Sequence, residues 1–450
     1  MPKGSWFHGK VSDGIANSYF KQASASACHQ LDDYVPESIA TAIRQWAHQH
    51  NTHENAVLAA LLTTTAAVVA GKVVINYQPD TAPMWEHVPS LYLLTLGPTQ
   101  RNLEEPMTKF CTNILSKIER SHEKKVLCDV TSANGLDKHI VGAKGTLVLV
   151  KDNILPHLRA ISGNLSRFTL LNRGFAGLNL AIQTNWRRPV DKFSQGCFIM
   201  HGSAHPKLFA NVLRMAPDTV ERHLARWLVT LVGLPAATAP SGAPAIDLEG
   251  TFTALYNAYL ETDDTCETFH LSREALNIYS KYDRYCKDER NREKHPTSEW
   301  AFDPAKAYKT AFILHLMVNS ILSFLEKGKI RVPRKVSGDT MKKAIKYTQV
   351  SREVFQIFTG NAPARTEKAP KPKVAESENK EETPVPAPEV AKTEGGETPA
   401  KAGSGERERK KREVVKTVRE VKKRRRSVTE SRPVKKATRD TAPRRRSSVK

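Results

Sequence analysis

The chain has 450 residues and a net charge of +22, with 69 Lys and Arg set against 47 Asp and Glu. That length allows two or three domains with a sizeable core. The six cysteines, at 28, 111, 128, 197, 266 and 286, form no C-x-x-C pair, which argues against a disulfide framework and for reduced thiols in a cytoplasmic protein.

Taken in order, residues 1–32 read as an extension whose start, Met1-Pro2-Lys3-Gly4-Ser5-Trp6, lacks a charged-then-apolar signal pattern. "VPESIATAIRQWAHQH" sets Pro36 just inside a helix and Ile39, Ile43 and Trp46 on one face. "HENAVLAALLTTTAAVVAGKVVINY" predicts a buried helix ended by Gly71, then a strand at Val73-Val74-Ile75. Its apolar run, Ala56 to Ala70, holds three threonines and is too short to cross a bilayer, so no membrane span is expected. "SLYLLTLG" is a further strand, followed by the unusual loop "TLGPTQRNLEEP" and a helix carrying Phe110, Ile114, Leu115 and Ile118.

"KKVLCDV" predicts a short strand, and Thr131-Ser132-Ala133-Asn134 a helix start. "GTLVLVKDN" is a continuous apolar run ending in a polar pair, the pattern of a central parallel strand. "GCFIMHGSAHPKLFANVL" and "ERHLARWLVTLVGL" each add a strand and a helix. This alternation predicts an α/β domain over 33–234, a parallel sheet flanked by helices. Residues 235–247, "PAATAPSGAPAID", read as a linker, and 248–360 as an all-helical domain. Beyond Gly360 the Ala/Pro/Glu/Lys composition cannot bury a core, so 361–450 is expected to be a disordered tail, basic from 401.

The order of these motifs is informative. Gly71-Lys72-Val73-Val74-Ile75, "PSLYLLTLGP", "GTLVLVKDN", "FIMHGSAHPKLF", "RHLARWLV" and "AYKTAFILHL" follow one another as in the YfjI-like family, a domain of unknown function in phage, prophage and plasmid proteins. The resemblance covers roughly residues 33–360. It implies a P-loop NTPase-like fold and association with primase or helicase modules.

In the family, the stretch after the Gly-Pro entry runs on into a working phosphate loop. Here Gly97 and Pro98 match the entry, but Asn102 stands for the second glycine, Leu103 for the lysine and Glu104 for the hydroxyl. A one-residue slip, which Pro106 allows, puts Glu104 and Glu105 in the last two places. A phosphate loop needs bare glycines, a lysine for the β- and γ-oxygens and a hydroxyl for Mg²⁺. Two carboxylates at a helix N-terminus satisfy its dipole themselves, and Asn102 with Glu105 has capping-box spacing. No cofactor is therefore expected, and hydrolysis is not the favoured chemistry.

The resemblance also points to Asp152 in "LVLVKDN" as the Mg²⁺-assisting acid, with Asn153 replacing the acid that orients water. The simpler alternative makes Asn153 the cap of a helix over 154–161. Arg226 falls where the family has an arginine that can face a neighbouring nucleotide; a structural role is the alternative. Cys197, His201 and His205 are spaced by four, but on a strand and turn this does not gather them into a metal site. His48, His50 and His53 sit at a helix end, where local polar contacts suffice.

The tail carries the strongest charge signal. Residues 401–450 hold 21 basic and 6 acidic side chains, and 361–400 hold 6 and 8, so the first 360 residues carry only +9. The clusters Lys410-Lys411-Arg412, Lys422-Lys423-Arg424-Arg425-Arg426, Lys435-Lys436 and Arg444-Arg445-Arg446 lack interleaved aromatics. They suit sequence-independent neutralisation of a nucleic-acid backbone rather than base reading. Together these readings give a non-hydrolysing, nucleic-acid-associated accessory protein of a phage or mobile element, with replication proteins or other copies of itself as partners. The alternatives are a divergent ATPase of a helicase-primase, which alone needs ATP and Mg²⁺, and a structural protein that coats or packages DNA.

Overall fold

Four apolar runs become the central sheet. The computed structural model describes residues 11–76, 86–97, 105–122, 126–130, 132–162, 166–184, 189–215, 218–233, 246–259, 266–292 and 299–360. The chain divides into two units, Met1–Ala369 and Pro370–Lys450, and all described residues belong to the first.

The elements begin with α1 (Asp13–Ser26), α2 (Glu37–Gln49), α3 (Glu54–Val68), β1 (Val73–Asn76), β2 (Glu86–His87), β3 (Leu91–Leu96) and α4 (Glu105–His122). There follow α5 (Ala133–Gly142), β4 (Thr146–Lys151), α6 (Ile154–Ser162), α7 (Ser166–Ala176), β5 (Leu180–Ile182), β6 (Asp191–Phe193) and β7 (Cys197–Ala204). Next come α8 (Pro206–Met215), α9 (Asp218–Leu224), β8 (Leu228–Leu231), α10 (Leu248–Ala258) and β9 (Glu267–Leu271). The series ends with α11 (Arg273–Arg292), α12 (Asp303–Lys327), β10 (Lys335–Val336) and α13 (Gly338–Thr359).

The central sheet runs β4-β7-β3-β8 with every pairing parallel. Side chains alternate across it: Leu91 and Leu93 join one core, and Tyr92, Leu94 and Leu96 the other. Val148 and Val150 likewise oppose Leu147 and Leu149. Both faces are covered, which is why these strands read as unbroken apolar runs rather than alternating ones. The strand expected at "KKVLCDV" shrinks to one parallel bridge, Leu127 to Val148, at the β4 edge.

Helix α3 explains how an apolar helix accommodates three threonines. Every residue from Asn55 to Val68 is buried, and the hydroxyls of Thr63, Thr64 and Thr65 each donate to the carbonyl four residues back at 2.8 Å. Their polar groups are thus satisfied within the helix.

Two expectations are corrected. The segment 248–360 is not all-helical: β9 pairs in parallel with β1 and with β10, and β2 completes this second sheet antiparallel to β1. Nor does 235–247 divide the packing, because Phe252, Leu255, Phe312 and Met317 share one core with Val57, Leu61 and Leu93. At the other end of the chain, α1 buries Ala16 and Ala23 in the second core.

Helix α12 is long and apolar enough to cross a membrane by length and composition, but 67% of its apolar window is buried against protein. It also carries a charged hub. Asp303, fully buried, pairs with Lys306 at 2.7 Å and with Arg352 of α13 at 2.5 Å, and accepts a hydrogen bond from the Tyr282 hydroxyl of α11 at 3.3 Å. Lys306 also donates to the Ala225 carbonyl, and the Arg352 guanidinium lies 3.6 Å from the Trp300 ring centre. One turn on, buried Lys309 donates to the Phe175 carbonyl, and burial pushes its amine down to about 7.

Removing one member of a buried ion cluster strands the others without a counter-charge. Asp303→Ala is therefore expected to lower the unfolding free energy by about 3–5 kcal/mol in a urea titration. Lys207→Ala, which removes a surface pair with Asp13 at 3.0 Å, should cost less than about 1 kcal/mol.

Candidate functional site

In an open parallel sheet, ligands bind beyond the carboxyl ends of the strands. Gly97 lies at the end of β3, Asp152 and Asn153 beyond β4, His205 beyond β7, and Val232 beyond β8. The described part of the sequence-predicted nucleotide corner is thus Gly97 and Asp152, with β7 between their strands. Pro98, Asn102, Leu103 and Glu104 lie outside the described residues, as do the basic side chains from Lys410 to Arg446.

The strand-end cluster is held by local contacts. Thr108, in the first turn of α4, donates its hydroxyl hydrogen bond to Asp152 Oδ1. The backbone N–H of Asn153 donates to Ser203 Oγ at 3.1 Å, and the Thr95 hydroxyl to the Gly202 carbonyl at 3.4 Å. Asn153 adopts a left-handed φ of 48°, which Asn tolerates better than most residues. It directly precedes α6, yet its Oδ1 is buried with no hydrogen-bond partner. The capping role read from the sequence is therefore not taken.

Gly202 makes the cluster possible. A Cβ there would stand 2.3 Å from Ile154 Cβ and 2.5 Å from the Lys151 carbonyl, so the β4–α6 corner reaches β7 only across a bare backbone. His201 beside it is buried, its Nδ1 has no hydrogen-bond partner, and burial pushes the imidazole down to about 4. The void among Thr95, Thr108, His201 and Ser203 is about 10 Å³, the size of a single water.

Arg226 is not part of this cluster. It precedes the amino end of β8, while the cluster lies past the carboxyl ends of strands parallel to it. Four residues of strand, about 13 Å, intervene. Its guanidinium lies 4.0 Å from the Phe302 ring centre and donates to the Arg222 carbonyl, and burial pushes it down to about 10.

The histidine and cysteine spacings resolve into packing. Residues 197, 201 and 205 project from one face of an extended chain, but steps of four place them about 13 Å apart. Burial raises the Cys197 thiol to about 12, and His205 Nδ1 accepts the Lys207 N–H. His53 Nδ1 caps α3 by accepting the Asn55 N–H at 3.1 Å, while His50 stacks on Trp46 with ring centres 3.8 Å apart. Among the described residues no group of three or more His, Cys, Asp or Glu is placed to hold a metal ion.

Sequence reading missed Thr108, Thr95, Ser203 and His201 as members of the cluster. Counting a fixed loop length put the hydroxyl position at Glu104. The hydroxyl that reaches Asp152 comes four residues later, where a threonine in the first turn of α4 was the available signal.

No family model and no curated protein matches the chain. Among solved structures it is similar to a full-length MCM homologue from Methanopyrus kandleri, with a TM-score of 0.36 and 10% identity. That match covers 77% of this chain and 62% of the homologue, so the chain spans less than two thirds of its length.

The buried histidines set an acid limit. Burial pushes His29 down to about 3 and His87 and His201 to about 4, from ordinary values near 6.5. In the unfolded chain they take up protons below pH 6.5, so the stability of their neutral forms is present above 6.5 and lost as pH falls toward 4. The melting temperature should fall steeply across that window, and His201→Leu should make the fall shallower.

Proposed function

We propose that this protein has a P-loop NTPase-like fold whose nucleotide corner has lost its hydrolytic chemistry. In this reading it serves as a nucleic-acid-associated accessory protein in the replication of a phage or mobile element. The observation that supports the reading is the strand-end pair after β4: Asp152, exposed, accepts a hydrogen bond from the Thr108 hydroxyl, and Asn153 stands where a water-orienting acid would be. Triphosphate hydrolysis needs a cradle for the phosphates, a lysine and a group that orients water. Of the parts of such a site, the described residues supply an aspartate and a hydroxyl.

With catalysis set aside, function rests on binding. The arm from 401 to 450, with a net charge of +15, tethers the protein to nucleic acid by displacing counterions, independently of sequence and strongly weakened by salt. Deleting residues 401–450 is expected to remove most duplex binding, read by fluorescence anisotropy at two salt concentrations. Affinity and salt slope that survive the deletion contradict the tether.

One observation favours a second reading, a divergent ATPase. A hydroxyl in contact with the strand-end aspartate is the pair that holds Mg²⁺ in working sites, and Thr108 with Asp152 is such a pair reached through a longer loop. Mg²⁺-dependent ATP turnover that disappears in Asp152→Ala selects this reading, and absence of turnover selects the first.

A further inference from the structure

Charge is unevenly spread along the folded unit. The first 360 residues carry +9, and +4 of it falls within 326–335, "EKGKIRVPRK", where five cations face one carboxylate, Glu326. This segment leads from the last turn of α12 into β10, the edge strand of the second sheet.

Its backbone is fixed at four points. Gly328 closes α12 at a left-handed φ of 62°, its N–H donating to the Phe324 carbonyl at 2.8 Å. The Arg331 N–H donates to Ser323 Oγ at 3.1 Å, and His315 Nε2 to the Pro333 carbonyl at 2.6 Å. The His270 N–H donates to the Arg334 carbonyl at 2.9 Å. Ile330 and Val332 pack on the core that holds Phe312 and Met317, and the residues that alternate with them, Lys329 and Arg331, are exposed. Lys327, Arg334 and Lys335 are exposed as well.

Most cations around the segment are already neutralised. Arg334 pairs with Glu267 at 2.8 Å, and on α13 Lys342, Lys343 and Lys346 pair with Glu274, Asp339 and Asp33. Lys327, Lys329, Arg331 and Lys335 have no side-chain partner among the described residues. A cation in the last turn suits the dipole of α12, and a lysine on an edge strand discourages pairing with another chain. Those roles account for Lys327 and Lys335 but not for Lys329 and Arg331. Unpaired cations on a backbone that needs no further ordering are suited to a polyanion. The segment has no aromatic side chain to stack on a base, so it suits phosphates rather than bases. An anionic membrane would favour an apolar face to insert, and the adjoining turn of α12 exposes one large apolar side chain, Leu325.

We infer that the segment 327–335 is a second nucleic-acid contact, carried by the folded unit, in which Lys327, Lys329, Arg331 and Lys335 bind the phosphate backbone of a duplex without reading its sequence. This rests on the nucleic-acid reading proposed above, and adds to the tail a set of cations held in place by the fold.

The test is fluorescence anisotropy of a labelled duplex with the full chain across a range of salt concentrations. The variant combines Lys327→Gln, Lys329→Gln, Arg331→Gln and Lys335→Gln. The control combines Lys207→Gln, Lys287→Gln, Lys342→Gln and Lys346→Gln, which removes as many charges from paired positions. Each phosphate contact contributes about 0.9 to the slope of log affinity against log salt. The variant should therefore flatten that slope by about 3–4 and weaken binding about 10-fold or more at 0.1 M salt, while the control flattens it by less than about 1. All eight positions lie on the surface, and thermal melting verifies that both proteins are folded. A variant that binds the duplex like the control overturns this inference and leaves the tail as the tether. A full chain that binds no duplex overturns the nucleic-acid reading and this inference together. Binding to phosphatidylserine vesicles that the variant loses, with duplex binding intact, makes the segment a membrane contact and likewise overturns it.

Discussion

The carboxylate of Asp303 fixes how the helices after residue 248 join the sheet that precedes them. It is fully buried between two cations, one from its own helix and one from α13, and one of those cations reaches on to the turn before β8. Such a cluster tolerates burial only when every member has its partner. The same seam continues through neutral bonds. Ser351 Oγ accepts the Val229 N–H at 2.6 Å, and the hydroxyls of Thr230 and Tyr347 lie 2.7 Å apart. Helix α13 is thus tied to an outer strand of the central sheet, while Lys309 of α12 reaches the end of α7. The long apolar helix is part of the support of the sheet.

A sheet supported on both faces gives its strand ends fixed positions. At those ends the backbone of Gly202 lets the β4–α6 corner approach β7, and Thr108 takes Asp152. Asp152 stays exposed, and the pocket among Thr95, Thr108, His201 and Ser203 is about 10 Å³. A wider cleft lies on the other side of α4, lined by Trp46, His50 and Phe110 and also by Asp247 and Glu249. One helix, α4, therefore lies between the strand ends and this cleft.

Much of the fold was legible because local pattern and burial agreed. β3, β4 and β7 are buried on both faces and so appear as unbroken apolar runs, and α3 as an Ala-rich helix closed by Gly71. The second sheet was not legible. β9, Glu-Thr-Phe-His-Leu, is short and half polar, and its partner β1 lies almost 200 residues away, so nothing local marks it as a strand. The resemblance pointed to Asp152, and the apolar run before it placed it at the end of a parallel strand, as β4 shows. Thr108 was missed because its place depends on the length of the preceding loop. Arg226, for which a structural role was the alternative, packs on Phe302 at the amino end of β8. Asn153 occupies the position before α6 as expected, but its left-handed backbone carries the side chain into the interior, where Oδ1 has no hydrogen-bond partner.

The central claim is the proposal that the strand-end corner, with Asn153 after Asp152 in place of a second acid, takes no Mg²⁺-nucleotide. A calorimetric titration of the full chain with Mg²⁺·ATP, repeated on Asp152→Ala, measures this directly. The account predicts that the two proteins give the same heats, any shared signal arising outside the corner. A saturable heat in the natural chain that vanishes in Asp152→Ala would contradict it.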